Sequence, residues 1–251
     1  PDAAGVVAAE EVRALARRAG ERDLVFVLIS GGGSALLTAP AAGITLEDKL
    51  AVTRRLLDAG APIGELNTVR KHLSRIKGGH LARALAPARS VTLVLSDVLG
   101  NPLDVIASGP TVPDPTTCGD ALDVLRRRAL LEAVPAAAAA HLQAGAGGRL
   151  PETPKPGDPV FDFTRTVIIG DIRQALRAAD AGARAQGLTT VLLSEAVEGE
   201  ARDVGAALGR TAKAAREGRY GPRPVCLLQG GETPVTVRGP GKGGRNQEVA
   251  L

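Results

Sequence analysis

Leu-Val-Phe-Val-Leu-Ile-Ser-Gly-Gly-Gly-Ser-Ala-Leu-Leu, residues 24–37, is the stretch on which the fold turns. Leu24 to Ile29 is an unbroken apolar run of branched and aromatic residues. A run that short reads as a strand buried on both faces. It stops at Ser30-Gly31-Gly32-Gly33-Ser34. Three glycines permit positive φ and let the backbone approach a ligand closely. A helix is expected soon after, with Ser34 as its cap. Strand, glycine turn and helix start together form a common anion cradle of α/β proteins, built from free N–H groups and the helix dipole. The same glycines also suit a plain tight turn, and both readings stand. The pattern is not Gly-x-Gly-x-x-Gly, because Leu36 takes the third glycine position, and no Lys-Ser or Lys-Thr follows to make a P-loop.

Working outward, residues 3–19 predict an amphipathic helix stopped by Gly20. Thr45 with Asp48 predicts a capping box, and Leu46, Leu50, Thr53 and Leu57 predict the buried face of the helix it opens. Residues 67–79, Asn-Thr-Val-Arg-Lys-His-Leu-Ser-Arg-Ile-Lys-Gly-Gly, crowd basic side chains together. On a helix Arg70, Ser74 and Lys77 would share one face, and Asn67, Lys71 and Ser74 would overlap on another. That pattern serves as a solvated basic face or as a polyphosphate contact. Val91 to Leu95 predicts a second strand, which ends in Ser96-Asp97. An acid at the carboxyl end of a buried strand sits where open α/β sheets bind ligands. Asp97 is thus a candidate for holding Mg²⁺, accepting a proton or capping the next turn.

A Pro- and Gly-rich loop follows over residues 102–115, then helices at 118–131 and 134–143. Strands at 166–170, 189–193 and 225–229 alternate with helices at 172–186 and 200–217. This alternation predicts an α/β fold with a parallel sheet covered on both faces. The last strand enters Gly230-Gly231-Glu232, a second glycine-ended strand. Thr233 to Val237 is expected to form a short strand, and Gly239 to Gly244, with Lys242, a basic loop.

Composition narrows the function classes. The 251 residues are 44% apolar and 23% charged, the balance of a globular protein with a real core. No apolar run approaches a membrane span, so no membrane association is expected. Aromatics make up only 2%, leaving little for bases to stack on and excluding nucleic acid as the expected partner. A net charge of +4 suits a small anionic substrate. Two cysteines, Cys118 and Cys226, far apart, fit the cytoplasm and inert thiols. No role is assigned to His72, His80 or His141. The chain has no Met and starts at Pro1, so it is expected to be part of a longer protein.

The segments at 28–37, 67–79, 95–100, 106–116, 230–233 and 243–248, in this order, resemble the glycerate 2-kinase family, whose members are sometimes called hydroxypyruvate reductases. The resemblance covers essentially the whole chain. It implies a Rossmann-like three-layer α/β domain with a mostly parallel sheet over residues 1–224. It also implies the start of a second α/β domain, MOFRL, over 225–251. The implied reaction is ATP-dependent phosphorylation of D-glycerate to 2-phosphoglycerate with Mg²⁺; homo-oligomerisation is left open. On this reading Ser30, Gly31, Gly32, Gly33, Ser34, Asn67, Gly230 and Gly231 hold nucleotide or carboxylate oxygens. Lys71 and Arg245 neutralise the transferring group or the glycerate carboxylate. Asp97 binds the metal or orients the hydroxyl, and Glu232 supports the metal. Asn101, Ile172 and Pro234 depart from the family pattern, and Ile172 replaces a polar contact. A nicotinamide-dependent reductase and a non-catalytic binding module are the rival expectations.

Overall fold

The computed structural model describes residues 1–236, 239, 241 and 243–251. Lys242 and Val237, the end of the expected short strand, lie outside the described residues. Residues 233–236 are not a strand. The chain packs as two compact units. One comprises Pro1–Leu95 and Pro102–Ile169, the other Ser96–Asn101 and Gly170–Leu251. No helix among the described residues is long and apolar enough to cross a membrane.

The larger unit carries a three-stranded sheet in the order β1-β2-β3. Its strands are β1 (Leu24–Ile29), β2 (Arg89–Leu95) and β3 (Thr164–Gly170). β1 and β2 pair in parallel, from Leu24 opposite Arg89 to Ile29 opposite Val94. The link between them holds α2 (Gly33–Leu36), α3 (Leu46–Asp58), α4 (Ile63–His72) and α5 (His80–Leu85). α1 (Ala3–Arg18) precedes the sheet, its N-cap Asp2 accepting from the Gly5 N–H. α6 (Cys118–Arg127) and α7 (Ala136–Ala146) complete the unit. Capping boxes start α3 at Thr45/Asp48 and α6 at Thr117/Asp120. The main core joins Val52 and Leu56 of α3, Leu66 and Val69 of α4, Leu122 and Leu125 of α6 and Leu142 of α7.

Three expectations change here. β1 is not buried on both faces. Val25 and Val27 pack against the cluster of Ala9, Ala16, Ile76, Leu81 and Leu85, but Leu24, Phe26 and Leu28 are 56–75% exposed. A strand of period two needs cover on each side, and among the described residues only the inner face has it. The buried face of α3 is Lys49, Val52 and Leu56, with Leu57 exposed. The leucines therefore mislead by about one helical position, and a lysine occupies the core side. Finally, the basic stretch is not one helix. α4 ends at His72, and Ser74 Oγ accepts the N–H groups of Ile76 and Lys77, turning the chain.

The smaller unit holds β4 (Thr189–Val197) and β5 (Val225–Gly231), a parallel pair forming its own two-stranded sheet. The expected alternation thus appears as two sheets, each holding a parallel pair. The register shifts after Leu192 and again after Ser194. α8 (Ile172–Ala185), α9 (Ala201–Arg216) and α10 (Arg245–Ala250) flank the pair. Asp171 caps α8 by accepting the Gln174 N–H at 2.8 Å and also accepts Asn101 Nδ2 at 2.9 Å.

Candidate functional site

The glycine turn is a hub, although not by the route expected. α2 has four residues, too few to build a useful macrodipole, and its cap is Gly32 at φ +83°. Ser34 lies inside this turn and does not cap it; its oxygens face cations. Lys77 Nζ donates to the Ser34 carbonyl at 2.7 Å and to its hydroxyl at 2.8 Å. Arg70 Nη2 donates to the same carbonyl at 3.1 Å and the hydroxyl at 3.4 Å. Ser34 Oγ meets Ser108 Oγ at 2.8 Å, and Ser108 donates to Asn67 Oδ1 at 3.3 Å. Ser34 and Asn67, 33 positions apart, are thus joined through one hydroxyl.

Ser108 belongs to a strained run. Ala107, Ser108 and Gly109 have φ of +51°, +62° and +59°. Consecutive left-handed residues with side chains cost free energy and persist where surroundings over-determine them. Here the Gly78 N–H donates to the Ser108 carbonyl and the Gly79 N–H to the Gly109 carbonyl. Gly79 itself has φ +82°, and a Cβ there would meet the Val112 carbonyl oxygen at 3.0 Å.

The electrostatics of this cluster are one-sided. Lys77 is 2% exposed, and the charges acting on it are Arg70 and Lys49, both cationic; burial first, then these two, drive its pKa well down. Lys49 is buried with no hydrogen-bond partner for Nζ among the described residues, and burial followed by Arg70 lowers it to about 8. Burial also lowers Arg70. Ser34 solvates these charges but neutralises none. Uncompensated buried cations are costly unless something anionic arrives. A groove of about 860 Å³ runs from Ser30, Gly31, Gly33 and Lys77 along β1, lined also by Ile76, Leu81 and Leu85.

One residue away the arrangement is reversed. Lys71 Nζ stands 3.3 Å from both Asp104 Oδ2 and Asp114 Oδ1. Asp114 is fully buried. Burial opposes its charge, but the Thr116 hydroxyl and N–H, then Lys71, hold its carboxyl below the usual range. Lys71 therefore shares its charge with two carboxylates.

The remaining expected site residues fall in the smaller unit. Asp97 is exposed and has no partner among the described residues. Glu232 Oε1 and Arg245 Nη1 form an ion pair of 2.5 Å. Gly230 and Gly231 have structural reasons for lacking side chains. A Cβ at Gly230 would strike Ile172 Cγ2, and one at Gly231 would strike the Val197 backbone. Ile172 thus packs against Gly230.

Sequence reasoning missed Lys49, Asp104 and the hub role of Ser108. A polar residue at the i−3 position of the Val52–Leu56 pair was the available signal for Lys49. Asp104 and Ser108 reach the cluster only through long-range folding of an irregular loop.

Residues 1–143 match the family described as "Domain of unknown function (DUF4147)", and residues 225–251 match the MOFRL family. The chain is 46% identical to a putative hydroxypyruvate reductase of Agrobacterium vitis, covering all of this chain and 56% of that protein. It is 43% identical to the glycerate 2-kinase of Pyrococcus horikoshii, covering all of this chain and 57% of that one. The crystal structure of glycerate kinase from Thermotoga maritima aligns with a TM-score of 0.83 at 39% identity, over the whole chain and 57% of its own. The chain spans just over half the length of these relatives.

Proposed function

The chain belongs to the DUF4147 family, that of the glycerate 2-kinases, and from this premise we propose that it forms part of an enzyme phosphorylating D-glycerate at its 2-hydroxyl with ATP. One observation carries the reading most: Arg70 and Lys77 converge on Ser34 beside a glycine turn with no carboxylate among the described residues paired to them. Phosphoryl transfer asks a protein chiefly to position oxygens and neutralise charge. In this reading Arg70, Lys77 and Lys49 supply the charge. Ser30 to Ser34 supply a backbone without side chains in the way, and Asn67 with Ser108 fixes Ser34. Lys71 holds Asp104 and Asp114 and has less charge to offer a phosphate. In the smaller unit Arg245, Gly230 and Gly231 are assigned anion contacts of their own, with Arg245 leaving Glu232 when an anion binds.

Mg²⁺ fits the donor chemistry of Asp97, a carboxylate with no partner among the described residues, whereas Glu232 is held by Arg245. Bound there, a magnesium ion supplies charge shielding for polyphosphate oxygens. We retain the division at 224/225, supported by the MOFRL match that begins at 225. The cytoplasm is the proposed compartment, in keeping with two unbridged cysteines.

The test is a coupled ADP-release assay on the full-length protein with D-glycerate, with the phosphorylated product identified. Formation of 2-phosphoglycerate supports the reading; NADH oxidation by hydroxypyruvate without ATP would replace it with the reductase. Asp97→Asn should cut kcat by orders of magnitude while the fold survives, and near-normal turnover would remove Asp97 from the mechanism.

A further inference from the structure

His72, Cys118 and Glu152 meet in the larger unit, away from the Ser34 hub and outside any step assigned above. Their nitrogen, sulfur and carboxylate atoms all lie within 4.8 Å of one another. His72 Nδ1 lies 2.8 Å from the Thr68 carbonyl, and a carbonyl only accepts, so Nδ1 carries the proton. Nε2 is therefore the ring nitrogen left open to a proton or a cation. It faces Glu152 Oε2 at 3.2 Å and Asp114 Oδ2 at 3.8 Å. Asp114 Oδ2 has no hydrogen-bond partner among the described residues, and Asp114 is fully buried. Glu152 Oε2 is in an ion pair with Lys155 Nζ at 3.3 Å. The Thr153 hydroxyl reaches Nε2 only at 3.4 Å. The ring nitrogen and the two carboxylate oxygens thus converge on one point, which a proton on Nε2 or a cation between them would satisfy.

We propose that His72 Nε2, Cys118 Sγ and Glu152 Oε2 form a binding site for one divalent transition-metal ion of the zinc class. An imidazole, a thiolate and a carboxylate are the mixed donor set that a borderline-soft ion takes. The Nδ1–H to carbonyl bond is the outer contact that orients metal-bound histidines. Tetrahedral bonds of about 2.0–2.3 Å put ligand atoms about 3.3–3.7 Å apart, so the nitrogen–oxygen pair nearly fits and the sulfur must move inward by about 1 Å. Gly145 lets Cys118 Sγ sit beside this cluster, because a Cβ there would collide with it. The Glu152 side chain is 30% exposed and opens a path to solvent. The ion would tie the end of α4, the start of α6 and the segment after α7, three regions distant in sequence.

The test uses the metal alone on the purified full-length protein after chelation and dialysis. Zinc is titrated with elemental analysis, and cobalt(II) replaces it for spectroscopy. The expected result is one ion per chain and a sulfur-to-cobalt charge-transfer band. That band should vanish in Cys118→Ser and persist in Cys226→Ser. Glu152→Gln should weaken binding at least tenfold. Zinc should raise the melting temperature of the wild-type chain and of Cys226→Ser alone. Should Cys118→Ser fail to fold, the wild-type cobalt spectrum still decides. Absence of the thiolate band at millimolar cobalt overturns the proposal. So does nitrogen-15 NMR showing both His72 nitrogens protonated with zinc present.

Discussion

Arg70 and Lys71 are neighbours in sequence and face opposite environments. Arg70 turns to Ser34, where Lys77 and Lys49 add further positive charge and no acid among the described residues answers. Lys71 turns to Asp104 and Asp114, where each charge is met. A buried cation matched by carboxylates is part of the architecture. A buried cation left unmatched stores free energy that an anionic ligand releases on binding. Basic runs look alike in sequence, and only the location of the acids separates the two kinds.

The sharpest test is Lys71→Met. It leaves Asp114 buried without its cation, and breaking a buried pair this way costs about 3–5 kcal/mol. Urea unfolding should show the midpoint falling accordingly. An unchanged midpoint would mean that the Lys71 pairs contribute nothing and would dissolve the contrast. Lys77→Met in the full-length protein should behave oppositely. The catalytic efficiency kcat/KM should drop about 10²–10³-fold, the scale of losing one charge-stabilising donor, with no loss of melting temperature.

Lys49→Met carries the contrast into pH. The unfolded lysine holds its proton to about 10.5, but burial lowers the folded value to about 8. Between these values the unfolded chain binds more protons, so wild-type stability should rise with pH from 8 to 10.5. Below 8 the charged lysine is a burden of at most about 3 kcal/mol, which the methionine variant should shed. Calorimetry across this range checks it, and a wild-type profile flat in pH would show Lys49 to be compensated. The smallest effect is expected at Gly79, which borders both clusters. Gly79→Ala should cost about 1–2 kcal/mol from its left-handed backbone, lowering stability and activity together.

Local chemistry made much of the fold legible. The six residues of β1, the Thr45/Asp48 capping box and the spans of α1, α8 and α9 follow from patterns within a few residues. What failed to show was cover. Nothing in Leu24 to Ile29 says that one face will lack a neighbour. The site was half legible for the same reason. Glycines and cations appear as local composition, but Ser108 reaches Ser34 across 74 positions. Asp114 reaches Lys71 across 43, through a loop whose left-handed turns have no period to read. Lys49 was hidden because a lysine among leucines is ordinarily assigned to water.

The bare face of β1 also bears on how the chain behaves in a tube. β1 is an edge strand, with Leu24, Phe26 and Leu28 in a row facing solvent and no charge within its six residues. Short, uncharged, β-branched edges of this kind template the addition of further strands. Its colloidal behaviour should therefore depend on concentration: light scattering should grow steeply as the solution is concentrated. One gatekeeper charge, Phe26→Lys, should flatten that growth without touching the Ser34 hub.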